Sequence, residues 1–143
     1  DLHLSLRRQR QMCIRDRVGE PTSDKSFGDK IKIGRRGSIN FFLTVKGIQG
    51  HTANGHRAEN PVHHLSKLLT NILAEPLDNG NEFFLPTSIQ VPTFDVGNSA
   101  HNVIPEIARA TINIRFNNLH TIESLIEWMH NNITNIFKVN FCT

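Results

Sequence analysis

The chain contains only two cysteines among 143 residues, Cys13 and Cys142, near opposite ends. A pair so placed is neither a disulfide framework nor a four-ligand metal site, and a reducing, cytoplasmic setting is expected. Long apolar runs are missing as well: none approaches the roughly 20 residues that span a bilayer, and the basic start is not followed by an apolar signal core. Neither a membrane span nor export is therefore expected. Charge of one sign is scarce, with 16 Lys and Arg against 13 Asp and Glu and a formal net charge of +3. That is too little for a large electrostatic field, and nucleic acid is not an expected partner. A glycine-rich phosphate loop, a nucleophilic serine elbow and a CxxC pair are all lacking, which removes the chemistries that depend on them.

What is present suffices for one core. With 38% of the residues hydrophobic, a chain of this length supports a single compact domain and hardly two. Residues 1–17, DLHLSLRRQRQMCIRDR, are rich in arginine and follow neither a two-residue nor a 3.6-residue period. Their MCIRDR string resembles the translation of a sequencing adapter, so the segment is expected to stand outside the native fold; the alternative is a native basic arm for an acidic partner. Residues 18–34 are polar and turn-rich, with Gly19, Pro21, Gly28 and Gly34, and read as an entry segment arriving from elsewhere.

From there the periods are clear. Ile39, Phe41, Leu43 and Val45 alternate with Ser38, Asn40, Thr44 and Lys46, the pattern of a strand with one buried face. Gly47, Gly50 and Gly55 break it into a sharply turned loop, and Asn60 followed by Pro61 supplies a helix cap and a preset first residue. Val62, Leu65, Leu68, Leu69, Ile72 and Leu73 then form one stripe, ended by Pro76. Asp78 to Asn81 is a turn. Ser88 to Val96 is a strand whose Pro92 favours an edge, whereas the Pro-free alternation Ala108, Ala110, Ile112, Ile114, Phe116 suits the sheet centre. Thr121 can cap a second helix with its stripe on Ile122, Leu125, Ile126, Met129, Ile133 and Ile136, and Lys138 to Cys142 begins a fourth strand. The order βαββαβ predicts an α+β, ferredoxin-like sandwich: a four-stranded antiparallel sheet with both helices on one face. Regulatory and RNA-recognition modules share that order, so the fold alone assigns no function.

Local strings are more specific. VGEPTS at Val18, GRRGS at Gly34, GIQGHTANGHRAENPVH at Gly47, GNEFF at Gly80 and AHNVIPEIARATINIRF at Ala100 occur in order at compatible spacing. Together they resemble the succinyl-diaminopimelate desuccinylases of the M20 metallohydrolase family from Val18 onward. The resemblance implies three parts: a non-native or disordered arm at 1–17, the edge of a catalytic domain with its linker at 18–34, and a dimerisation (lid) domain at 35–143, cut short at its C-terminal end. It also implies a homodimer with two zinc ions per active site, cobalt being the alternative metal, that releases succinate from a succinylated amino acid in lysine and diaminopimelate synthesis.

Roles follow by the same resemblance. Glu20 matches a metal-binding carboxylate, but a catalytic zinc needs about three protein ligands, and the others, with the general base, would lie outside these residues. The piece alone is therefore expected to be inactive. His51 matches a histidine that reaches the partner subunit's active site and stabilises the oxyanion. From the residues themselves, an ordinary loop histidine remains the alternative. Arg35, Arg36 and Ser38 match residues near the substrate's carboxylates, which guanidinium forks suit; a solvated strand start is the other reading. Asn102 belongs to a substrate-binding loop, although His101 stands where some relatives carry a second asparagine, and Asn54 where some carry a tyrosine.

His56, His63 and His64 invite a metal reading. Adjacent helical residues point about 100° apart, so His63 and His64 cannot chelate from one face, and a second metal site is not expected. The rivals are another M20 amidohydrolase, of the acetylornithine deacetylase or aminoacylase type, and a stand-alone ferredoxin-like ligand- or RNA-binding module. The RNA version expects stacking aromatics on the central strands, where Arg109, Thr111, Asn113 and Arg115 occur instead.

Overall fold

The alternation after Gly37 folds as an extended ladder in the computed structural model, which describes residues 23–30 and 34–137. The arm, Glu20, both cysteines and the expected strand Lys138–Cys142 lie outside the described residues. Strand β1 (Gly37–Lys46) buries Ile39, Phe41, Leu43 and Val45 and turns the residues between them outward. Its partner β5 (Ile107–Phe116) runs antiparallel in continuous register from Gly37 opposite Phe116 to Lys46 opposite Ile107. On the far side of β5 lies β3 (Ser88–Asp95), giving the order β1–β5–β3.

β5 is thus central and Pro92 sits on an edge strand, as its missing N–H requires. The β3–β5 register slips between Gln90 and Thr93, around Pro92, where the ladder would otherwise need the donor proline lacks.

Helix α1 (Pro61–Leu73) begins where Asn60 Oδ1 accepts from Val62 N at 3.0 Å, with proline at the first position. Helix α2 (Ile122–Phe137) is fixed by a reciprocal cap: Ser124 N donates to Thr121 Oγ1 at 3.2 Å and Thr121 N donates to Ser124 Oγ at 3.0 Å. Leu65, Leu68 and Ile72 from α1 meet Leu125, Met129 and Ile133 from α2 over the inner face of β1 and β5 in one core. Burying each such side chain contributes roughly 1.5–3 kcal/mol, which holds both helices on a single face.

The four-stranded sheet expected from the element order is not what the described residues form. They make a three-stranded sheet and a separate two-stranded ribbon, β2 (Gly50–His51) with β4 (Val103–Ile104). Two-residue strands have no period, so nothing in the alternation announced them.

Candidate functional site

The ribbon exists because the two chains of the β1–β5 ladder keep pairing beyond the sheet. Gly47 N donates to Glu106 O at 2.7 Å, Gly50 stands opposite Ile104 and His51 opposite Val103, and Thr52 N donates to Asn102 O at 2.9 Å. A second brace comes from Ile48 and Glu59, which exchange backbone hydrogen bonds of 2.9 and 3.0 Å. Gly47 and Gly50 were expected to serve a sharp turn, yet left-handed φ among the described glycines occurs at Gly28, Gly80 and Gly97. Close approach is the reason for both residues. A Cβ on Gly47 would overlap the Glu59 carbonyl oxygen, and one on Gly50 would lie 2.7 Å from Ala58 Cβ.

His51 ends the ribbon and starts a 3-10 turn, Thr52–Arg57. Its Nδ1 accepts from Ala53 N at 3.1 Å, and the terminal amide of Asn102, nitrogen toward the ring, lies 3.4 Å from its Nε2. Both side chains are exposed. His51 and Asn102, 51 residues apart in sequence, are thus brought together.

At the other end of the ladder a second polar group gathers. The exposed Arg36 donates through Nη1 to Pro86 O at 3.3 Å, and Ser38 Oγ accepts from Asn113 Nδ2 at 3.3 Å. Asn113 also donates to Asn40 Oδ1 at 2.7 Å and accepts from Arg115 Nε at 3.2 Å. Arg115 stands opposite Ser38 on one side and Ser88 on the other, on the sheet face away from the helices. Its neighbourhood with Ser38 escaped the sequence reading, since alternation tells which face a residue takes but not which residue it meets across the ladder. Arg35 is exposed beside this group. Phe42 also opens partly onto the outer face, on β1 rather than on the central strand.

The two groups are far apart. Ser38 and Lys46 are eight residue steps apart along extended strand, about 26 Å at ~3.3 Å per residue, and His51 lies beyond. No small amide could touch both groups of one copy.

The loop carrying Pro86 is anchored by a buried polar knot. Asp78 Oδ1 accepts from Gly80 N at 2.6 Å and Asn117 Nδ2 at 2.8 Å; Oδ2 accepts from Thr87 N at 3.2 Å and lies 3.1 Å from His120 Nε2. Burial pushes the Asp78 carboxyl up, but hydrogen bonds from the Thr87 side chain, Gly80 N–H, the Asn117 amide and Thr87 N–H outweigh it and bring it down to about 2. Asn117 also donates to Leu85 O and receives Leu119 N, tying the 78–87 loop to the turn before α2.

The other histidines do not converge. His64 Nε2 lies 3.1 Å from Glu59 Oε1 and its ring packs against Phe137 at 5.7 Å, while His56 and His63 are exposed. No group of three or more His, Cys, Asp or Glu side chains able to hold a metal occurs among the described residues.

Comparison with known proteins supplies the remaining context. Residues 33–140 match the family described as Peptidase dimerisation domain, of the M20 class. A succinyl-diaminopimelate desuccinylase of Gluconacetobacter diazotrophicus is 58% identical over 112 residues, covering 78% of this chain and 29% of the relative. The enzyme of the same name from Parvibaculum lavamentivorans is 57% identical over 117 residues, covering 82% of this chain and 29% of the relative. The chain therefore spans less than a third of either. Among solved structures, the aminobenzoyl-glutamate utilization protein of Klebsiella pneumoniae superposes with a TM-score of 0.55 at 14% identity, covering 69% of this chain and 24% of that one. An amidase of the hydantoinase/carbamoylase family from Burkholderia multivorans gives 0.53 at 18% identity, covering 73% and 24%. At such identities these two likenesses concern the fold alone.

Proposed function

The chain belongs to the M20 peptidase dimerisation domain family, and on that premise we propose that it is the lid of a cytoplasmic, homodimeric amidohydrolase. Its substrate would be N-succinyl-LL-2,6-diaminopimelate, hydrolysed to succinate and LL-diaminopimelate. The named relatives at 57–58% identity support this substrate over the acetylornithine or aminoacylase alternative. In this reading residues 35–143 are the lid, 18–34 the edge of the catalytic domain, and 1–17 no part of either.

The observation that carries the proposal is the separation of the two polar groups along one ladder. Arg35, Arg36 and Ser38 at one end suit the carboxylates of a succinylated substrate, because guanidinium binds carboxylate through paired donors. His51 and Asn102 at the other end would serve the active site of a second copy. There the Nε2–H of His51 donates to the oxyanion that develops when the amide carbonyl is attacked, a contact stronger in the transition state than in the ground state. A groove of about 260 Å³ between the end of α1 and the start of β3, lined by Ile72, Leu73, Glu75, Pro76, Thr87 and Ile89, lies beside β3, an edge strand among the described residues. A second copy would cover both.

Zinc, two ions per site with cobalt as the alternative, would activate the attacking water. The described residues do not converge on a metal, so it would be held elsewhere in the assembled enzyme, with Glu20 the one ligand from this chain.

The test is subunit mixing in a full-length enzyme that carries this lid on a close relative's catalytic domain. His51→Ala and Arg36→Ala variants, each expected to lose about a hundredfold or more in succinate release, are purified separately, dissociated and recombined. If His51 acts across the dimer, mixed dimers regain one intact site and the mixture recovers up to about a quarter of normal activity. Failure to recover any activity from demonstrably mixed dimers would place both groups in one copy's site and reject the reading. Turnover only on an acetylated amino acid would retain the family and replace the substrate.

A further inference from the structure

The hydrogen bonds around His51 restrict its chemistry further than exposure alone would suggest. A neutral imidazole carries one proton, on either nitrogen, and the nitrogen that accepts a hydrogen bond is the one without it. Nδ1 accepts from Ala53 N at 3.1 Å as the cap of the 3-10 turn. The proton of the neutral ring is therefore on Nε2, which must act as a donor. Facing it at 3.4 Å is the terminal amide of Asn102. An asparagine amide presents its oxygen or its nitrogen in nearly the same volume after a half-turn, and only the oxygen can accept from Nε2–H. With the nitrogen toward the ring, two donors would oppose each other.

We propose that Ala53 N–H and the side-chain oxygen of Asn102 together hold His51 as the neutral Nε2–H tautomer, making Asn102 a positioning residue for His51. The backbone around the pair supports this assignment. Thr52 N donates to Asn102 O at 2.9 Å, and His51 stands opposite Val103 in the ribbon, so each residue's position is set by the other's strand. The ring is aimed before any ligand arrives, and its single outward donor lies beside an acceptor that an incoming oxyanion can replace. The tautomer follows from hydrogen bonds within this chain; its use in catalysis rests on the proposed role of His51.

Nuclear magnetic resonance on the whole chain with nitrogen-15-labelled histidine tests it. Long-range proton–nitrogen correlations at about pH 8, above the ordinary imidazole range, distinguish the tautomers, and His51→Gln identifies the His51 signals by their loss. The expected result is one pattern for His51, with Nε2 protonated and Nδ1 bare. A protonated Nδ1, or an averaged pattern shifting between the two forms, overturns the proposal. Asn102→Ala supplies the second measurement: with no side-chain oxygen beside Nε2–H, the fixed His51 pattern should give way to one averaged toward the Nδ1-protonated form. A backbone amide spectrum that otherwise superposes on that of the native chain reports an intact fold. An unchanged His51 pattern in a folded variant means that the Asn102 side chain does not hold the ring, and also overturns the proposal. A held tautomer together with a fully active His51→Ala full-length enzyme would reject the oxyanion role while leaving this inference standing.

Discussion

The two ends of the β1–β5 ladder are built on opposite principles. One end is closed by Asp78, Asn117 and Thr87, whose polar atoms are shielded from water and satisfied by one another; the Asp78 side chain keeps only 9% of its exposure. The other end is an exposed two-stranded ribbon whose chief polar side chains, His51 and Asn102, share a long contact and stay open to solvent, with His51 also accepting from Ala53 N. Buried networks raise the cost of any loss, because each donor left behind has no water to turn to. Exposed pairs cost little to remove and remain available to a ligand. The contrast separates residues that hold the domain together from residues free to act.

The largest expected effect therefore lies at the closed end. Asp78→Ala leaves the Gly80 and Thr87 N–H groups and the Asn117 amide without their acceptor, and should destabilise the chain by about 3 kcal/mol. Chemical denaturation of the two proteins measures it. A loss under about 1 kcal/mol would mean that water replaces the carboxylate and that the knot is not closed.

Acid should reproduce part of that loss. The folded Asp78 carboxyl is lowered to about 2 from 3.8, so its contribution is fully present above pH 3.8 and disappears as pH falls through 2. The shift corresponds to roughly 2 kcal/mol. Asp78→Asn carries no titrating group, so the stability gap between it and the native chain should narrow by that amount from about pH 5 to pH 2. Parallel stability curves over this window would show that the carboxylate is not held by the knot.

Much of this architecture was legible, and the reason is locality. Alternation placed β1 and β5, Pro92 assigned β3 to an edge, and Asn60–Pro61 and Thr121 marked where the helices start; each signal lies within a few residues of the feature it sets. The missing pieces depend on distant partners. Asp78 is bound by Asn117, 39 residues on, and a turn sequence around Asp78 gives no sign of that second role. The need for glycine at 47 and 50 comes from residues 58–61 pressing against them, not from the turn that their sequence suggested. His51 and Asn102 were singled out through family likeness, whereas their contact is a product of the ribbon. Arg115 was visible as an outward residue, but its place between Ser38 and Ser88 is a matter of register.

The smallest expected effect is at the open end, and it is the one that separates the two ends most directly. His51→Ala removes the cap on a short 3-10 turn and one exposed side-chain contact, while the backbone bonds of the ribbon, Gly47 to Glu106 and Thr52 to Asn102, do not involve its side chain. An exposed cap of this kind is worth about 0.5 kcal/mol, toward the low end of capping effects. Denaturation of the variant should accordingly differ from the native chain by no more than that, several times less than for Asp78→Ala. A loss of about 2 kcal/mol or more would make His51 a structural residue of the ribbon, and the contrast between a closed knot that holds and an exposed pair free to act would fail with it.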